Sequence, residues 1–192
     1  EEGTSFELAN NLIEMMNNII DQNPDKFIFI DSPDQIEKLE QKGIVGIAYG
    51  IENGAPIEGN LENIKYFADK GVNYITLAHS KSNHISDSSY DENKRWKGLS
   101  PFGIKVVEEM NKQGVMIDIS HVSDAAFMQV LELSEATVVA THSSLRHFTP
   151  GWERNVSDEM LIALAKNNGV IQICFGSDFV VDRKANPDIK VS

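Results

Sequence analysis

Three of the five histidines in the chain stand immediately after runs of mostly apolar residues. Tyr74-Ile75-Thr76-Leu77-Ala78 leads into His79, Val115-Met116-Ile117-Asp118-Ile119-Ser120 into His121, and Thr137-Val138-Val139-Ala140-Thr141 into His142. An earlier run, residues 44–51, leads into a carboxylate, Glu52. Short apolar runs bounded by turn residues are the pattern of strands buried on both faces. If such strands lie side by side and point the same way, all four side chains arrive at one end of the sheet. Imidazole nitrogens and a carboxylate, with no thiolate, suit a catalytic site for Zn²⁺ or a neighbouring first-row metal. A lone histidine at a strand end is more often a hydrogen-bonded structural residue. Three at equivalent positions reverse that balance.

Other candidate residues carry weaker signals. Arg154 lies in the irregular stretch after His142, where a guanidinium can grip a substrate carboxylate through paired hydrogen bonds, although a solvated arginine is the commoner case. Asp118, inside its run, fits either a partner behind a ligand or a self-contained buried carboxylate. Cys174, in an apolar run, reads as core, and His84 and His147, in polar stretches, read as exposed. Ser143 and Ser144 follow His142 without the Gly-x-Ser-x-Gly frame of a nucleophile elbow. No glycine-rich phosphate loop precedes a helix in the right context.

The elements that must position these residues alternate. Thr4-Ser5-Phe6-Glu7 predicts a capping box opening a helix with an inward stripe of Phe6, Ala9, Ile13, Met16 and Ile20, ended by Asn23-Pro24. A short strand over 27–30 follows, then a helix opened by Ser32-Pro33-Asp34 and running to about Gln41, then one nearly continuous strand over 44–51. Further helices are expected over 60–70, with Leu61, Ile64, Phe67 and Ala68 inward, and from the Ser100-Pro101 start to about Gln113. Ser123 and Ser157 cap two more, the first burying Ala126, Phe127, Val130 and Leu131, the second ending at Asn168-Gly169 before a last strand over 170–175. Residues 80–98 form a polar loop of a length that is usually functional or mobile, and the polar tail from Gly176 is expected to fray. Strand and helix in turn, with strands apolar throughout, predict an α/β fold around a parallel sheet or barrel, as a single domain over 1–192.

Composition narrows the function classes. A net charge of −12 argues against nucleic acid and against electrostatic binding to an anionic membrane. One cysteine excludes an internal disulfide, and no apolar run approaches the ~18 residues of a membrane span. Neither observation assigns a compartment. The 192 residues fall short of the roughly 250 of a complete eight-stranded α/β barrel.

Several segments together resemble the renal, or membrane, dipeptidase family of zinc peptidases, within the metal-dependent amidohydrolase group. They are Gly50-Ile51-Glu52-Asn53-Gly54, Ile75-Thr76-Leu77-Ala78-His79-Ser80, Leu99-Ser100-Pro101-Phe102-Gly103, Ile117-Asp118-Ile119-Ser120-His121-Val122-Ser123, Ala140-Thr141-His142-Ser143-Ser144 and Arg154-Asn155-Val156-Ser157-Asp158. The resemblance implies a (β/α)8 TIM-type barrel with two zinc ions, Glu52 bridging them and His121 and His142 ligating one. It also implies that His79 stabilises the developing oxyanion beside the substrate, that Arg154 binds the C-terminal carboxylate of a dipeptide, and that a metal-bridging hydroxide attacks the scissile carbonyl. Two features depart from the family pattern. Asn53 stands where glycine commonly follows the bridging glutamate, and the His-x-Asp pair of the first strand and the late proton-transfer aspartate have no counterpart. The expectation is therefore an incomplete barrel, lacking its first strand and C-terminal part, nearly inactive by itself and prone to homodimerise through open strand edges. A lactonase- or esterase-like amidohydrolase, or a metal-binding barrel without turnover, are the alternatives.

Overall fold

Five short strands form one parallel sheet in sequential order: β3 (Tyr49–Glu52), β4 (Val72–Thr76), β5 (Met116–Asp118), β6 (Val139–Ser143) and β7 (Val170–Ile173). They belong to a computed structural model that describes residues 3–36, 39, 43–182, 185–186 and 188. Preceding them, β1 (Phe27–Phe29) and β2 (Val45–Ile47) pair in parallel as a separate two-stranded sheet. Helices α2 (Glu62–Asp69), α3 (Pro101–Gln113), α4 (Asp124–Leu133) and α5 (Asp158–Lys166) connect the five strands and pack in sequence, each on the next. The result is a (β/α) barrel wall, incomplete as expected. All C-terminal strand ends lie on one side, which is where such folds assemble their sites.

Local chemistry explains most boundaries. Helix α1 (Ser5–Gln22) opens with the expected capping box: Thr4 Oγ1 accepts from Glu7 N–H, and the Glu7 carboxylate accepts from Thr4 N–H. Ile13 and Ile20 are buried, and Phe6, Ala9 and Met16 pack against the core. Ser100, Ser123 and Ser157 each cap their helix by accepting from the backbone N–H three residues on. In α2, Ile64 and Phe67 are fully buried, with Leu61 and Ala68 partly so.

Three expectations change. The strand expected over 44–51 is broken at Ala48, and its halves serve different sheets. An apolar run cannot by itself signal such a change of partner. After Ser32-Pro33-Asp34 the structure has a 3-10 turn, Pro33–Gln35, and most of the helix expected to Gln41 lies outside the described residues. The last strand, β7, is exposed along one side, with Val170 and Ile173 open to solvent, and among the described residues no strand pairs with its outer edge.

The long loop over 80–98 is folded on itself. Asp87 is fully buried, and its carboxylate accepts from the backbone N–H groups of Arg95, Trp96 and Gly98. Asp91 does the same for Ser82 and Asn93. Ile85, also fully buried, seats the loop against the start of α3, where a Cβ on Gly103 would sit 2.1 Å from the Ile85 carbonyl oxygen. Only glycine permits that approach.

Beneath the strand ends, Asp118 ties three strands together. Its Oδ2 accepts from Thr76 Oγ1 of β4 at 2.6 Å and from Thr141 Oγ1 of β6 at 2.7 Å. Its Oδ1 accepts from the backbone N–H groups of Ser120 and Thr141. The β5–β6 ladder holds only one registered pair, Asp118 with Val139, so the side chain supplies much of the join. Asp118→Ala leaves two buried and two part-buried donors without this acceptor, and unfolding in urea is expected to show a loss of about 3 kcal/mol or more. A loss below about 1 kcal/mol, the scale of a single ordinary hydrogen bond, would show that the carboxylate is not the tie.

Candidate metal centre

Glu52 is the last residue of β3, and His142 lies in β6 near its C-terminal end. His79 and His121 each follow their strand by three residues, in the turns after β4 and β5. The four side chains meet. Glu52 Oε1 lies 2.9 Å from His142 Nε2, 3.1 Å from His121 Nε2 and 3.3 Å from His79 Nε2. His121 Nε2 and His142 Nε2 are 2.7 Å apart. Donor atoms at ~2.0–2.2 Å around one tetrahedral Zn²⁺ lie about 3.3–3.6 Å from each other, so the cluster is of the right size, slightly drawn in. Two residues flanking the centre hold positive φ, Asn53 at 90° and His121 at 70°. Asparagine tolerates this region better than most residues, and the Asn53 Oδ1 accepts from Ala55 N–H and Asn83 Nδ2–H.

A hydrogen-bond relay sets the face that His142 presents. The Thr141 hydroxyl donates its one proton to Asp118 Oδ2, so its oxygen must accept from His142 Nδ1, 2.8 Å away. In the neutral imidazole the lone pair is thereby left on Nε2, pointing at Glu52. A lone pair and a carboxylate oxygen 2.9 Å apart repel, and a cation held by both makes the arrangement favourable. Burial, reinforced by the charges of Arg154, His79 and His142, holds His121 down at about 2. Its imidazole is therefore neutral, the form that ligates metals. The donor set thus fits a divalent metal, and Asp118 acts both as a satisfied buried carboxylate and, through Thr141, as a support for His142.

Arg154 is buried, against the commoner expectation for a loop arginine. Its Nη1 donates to Ser143 Oγ at 2.7 Å and its Nη2 to the His142 carbonyl, while the Phe179 ring lies 5.0 Å from the guanidinium carbon. The Nε–H is buried with no partner. Burial lowers the guanidinium pKa, and Tyr90, Asp118, Cys174 and Glu52 oppose that shift. Glu52, His79, Ser80, Tyr90, His121, His142, Arg154, Cys174 and Phe179 line one open pocket of about 470 Å³.

Tyr90, Cys174 and Phe179 are additions to the expected set. Cys174 stands on the pocket wall and not in the core, because it follows the C-terminal end of β7, on the face where the other strand ends meet. Phe179 sits on a short helix, α6 (Ser177–Val180), in the tail expected to fray. Neither has a local sequence pattern that points at the site. His84 is half-buried, stacked beside Phe102 and accepting from Gly59 N–H, whereas His147 is exposed as expected.

Fold and donor cluster together define the class: an α/β barrel with a histidine–carboxylate centre at the C-terminal strand ends. The chain belongs to the membrane dipeptidase family, peptidase family M19, whose description it matches over residues 1–190. It is 36% identical over 163 residues to an uncharacterized dipeptidase of Schizosaccharomyces pombe, covering 83% of this chain and 38% of that protein. Among solved structures it is similar to the probable dipeptidase PvdM from Pseudomonas aeruginosa, with 30% identity and a TM-score of 0.79 over 84% of this chain and 42% of that one. An amidohydrolase from the same organism matches at 29% identity and a TM-score of 0.85, over 95% of this chain and 54% of that one. The chain thus spans 38% of the length of the curated relatives it matches.

Thr141→Val keeps the shape of the side chain and removes the relay. In the metal-free protein, ¹⁵N NMR is expected to show His142 as the Nδ1–H tautomer in the parent and as a tautomer mixture in the variant. Zinc affinity by calorimetry should fall about 10–100-fold, the usual effect of losing a partner behind a ligand. An unchanged tautomer would remove the relay from the account.

Proposed function

We propose that this chain carries the metal centre and the substrate-carboxylate site of a zinc-dependent dipeptidase. The observation that carries the reading is the convergence of Glu52, His79, His121 and His142 on one point, in one pocket with a buried arginine. Membership of the membrane dipeptidase family supports it.

In this reading Glu52, His121 and His142 would hold one zinc, and Glu52 would help to hold a second. Bound zinc supplies Lewis acidity and a water acidified to near neutral pH. The chain supplies the rest. His79 is the most exposed of the three imidazoles around Glu52, and its Nδ1 is engaged by Ser80 Oγ at 2.8 Å. That leaves Nε2 as the face that meets the substrate carbonyl oxygen as it gains negative charge. Arg154 binds the C-terminal carboxylate of the dipeptide. Its Nε–H is buried without a partner, and the Ser143 and His142 contacts hold the guanidinium plane while leaving further N–H donors. Phe179 covers one side of the guanidinium, which strengthens a charge-assisted hydrogen bond made there.

Two measurements test this, zinc content on the metal-loaded protein and turnover on a chain of its relatives' full length. His142→Ala is expected to lower bound zinc per chain, read by elemental analysis; unchanged zinc content would remove His142 from the ligand set. Arg154→Ala should leave zinc content intact and lower kcat/KM for a dipeptide by about 10²-fold or more, as expected when a buried charged partner is lost. The loss should shrink for a substrate whose C-terminus is amidated. Equal losses on both substrates would make Arg154 a structural residue.

A further inference from the structure

Two aromatic rings, Tyr90 and Phe179, line the pocket that holds the donor cluster and Arg154, and a third, Trp152, stands between them with its ring against both. Tyr90 comes from the 80–98 loop, Trp152 from the loop after β6, and Phe179 from α6. The ring centroids of Tyr90 and Trp152 are 6.1 Å apart at 69°, and those of Trp152 and Phe179 are 5.1 Å apart at 65°. Both are the edge-to-face geometry that aromatic pairs prefer. At one end Tyr90 meets the His121 ring at 5.8 Å, and at the other Phe179 lies against Arg154 at 5.0 Å. The arc therefore runs from a proposed zinc ligand to the proposed carboxylate clamp. Beyond Trp152 it borders a second cavity of about 340 Å³ lined by residues 149–152, Asp178, Val181 and Asp182.

The wall is held in place from behind. Lys94 pairs with Glu153 at 2.7 Å, joining the loop of Tyr90 to the loop of Trp152. Glu153 Oε1 also accepts from Asp124 N–H at the start of α4. Arg146 grips the Asp124 carboxylate through two hydrogen bonds of 2.6 Å and reaches the carbonyls of Glu153 and Asn155. Yet Tyr90 keeps 43% of its surface exposed. An aromatic ring fixed by its neighbours and still open to solvent is pre-organised to take an apolar group at little entropic cost.

In a dipeptide the scissile carbonyl and the terminal carboxylate flank one residue, and its side chain branches from the carbon between them. We infer that the Tyr90–Trp152–Phe179 arc is the subsite for that side chain, and that it selects dipeptides whose C-terminal residue is aromatic or large and apolar. This rests on the proposed dipeptidase reading, which fixes the two ends of the substrate. Tyr90 and Trp152 are then specificity-determining residues.

The test separates the two claims. Calorimetry on the zinc-loaded protein compares two non-hydrolysable dipeptide analogues with a methyleneamine in place of the amide, one ending in phenylalanine and one in alanine. The phenylalanine analogue should bind about tenfold or more tightly, the scale of burying one aromatic side chain. Trp152→Ala and Tyr90→Ala should each cut that ratio severalfold, while Tyr90→Phe, which keeps the ring, should preserve it. Circular dichroism establishes that each variant is folded, and Tyr90→Phe serves as the control should an alanine variant fail to fold. Equal binding of the two analogues by the parent, or a ratio indifferent to both alanine variants, overturns the subsite. Turnover of glycyl-phenylalanine, whose C-terminal residue suits the subsite, is read in parallel on a chain of its relatives' full length: its absence counts against the dipeptidase reading, whereas the binding ratio bears on the subsite alone.

Discussion

The Asp118 carboxylate is the interaction on which the site depends. It is fully buried, and it accepts from donors on β4, β6 and its own turn. An acceptor-only group in a low-dielectric interior costs several kcal/mol unless its lone pairs are filled, and here each oxygen takes two hydrogen bonds. The strands are thus held at the level from which His79, His121 and His142 project. Through Thr141 the same carboxylate decides which nitrogen of His142 faces Glu52.

The loops above the sheet are as well determined as the strands below it. Asp87 and Asp91 fold the 80–98 loop by collecting its backbone N–H groups, the role an acidic side chain plays when a long connection has no ladder of its own. The Lys94–Glu153 pair and the Arg146–Asp124 fork then dock one loop on another and both on α4. The surface pair contributes little energy by itself. Its value lies in geometry, because it fixes the separation of Tyr90 and Trp152. The backbone at His121 is held at positive φ, a cost that the surrounding contacts sustain and that turns its imidazole toward Glu52.

Much of this arrangement was legible in the order of residues. The 3.6 and 2-residue periodicities, the serine caps and the apolar runs identified the helices and strands that carry the site. A parallel α/β wall follows from strands with no polar face. Because parallel strands connected by helices must all point one way, residues at equivalent strand ends must share one face. Glu52, His79, His121 and His142 could therefore be grouped although up to 90 positions separate them. The resemblance of the short motifs identified the family, which the match over residues 1–190 establishes.

Tertiary structure decided what sequence periodicity does not encode. The run over 44–51 divides between two sheets, since a strand's partner is chosen by the whole packing and not by its own residues. Arg154 proved buried because Phe179, from a different segment, covers it. Cys174 turned from core to pocket wall because β7 ends one residue before it, at the face where the strand ends meet. The aromatic arc joins residues 90, 152 and 179, none of which belongs to a motif, and only the docking of three loops brings them within reach. Local patterns are set by hydrogen bonds and burial along one element, so they survive in the sequence. The chemistry of a site is set by distances between elements, and those exist only once the chain has folded.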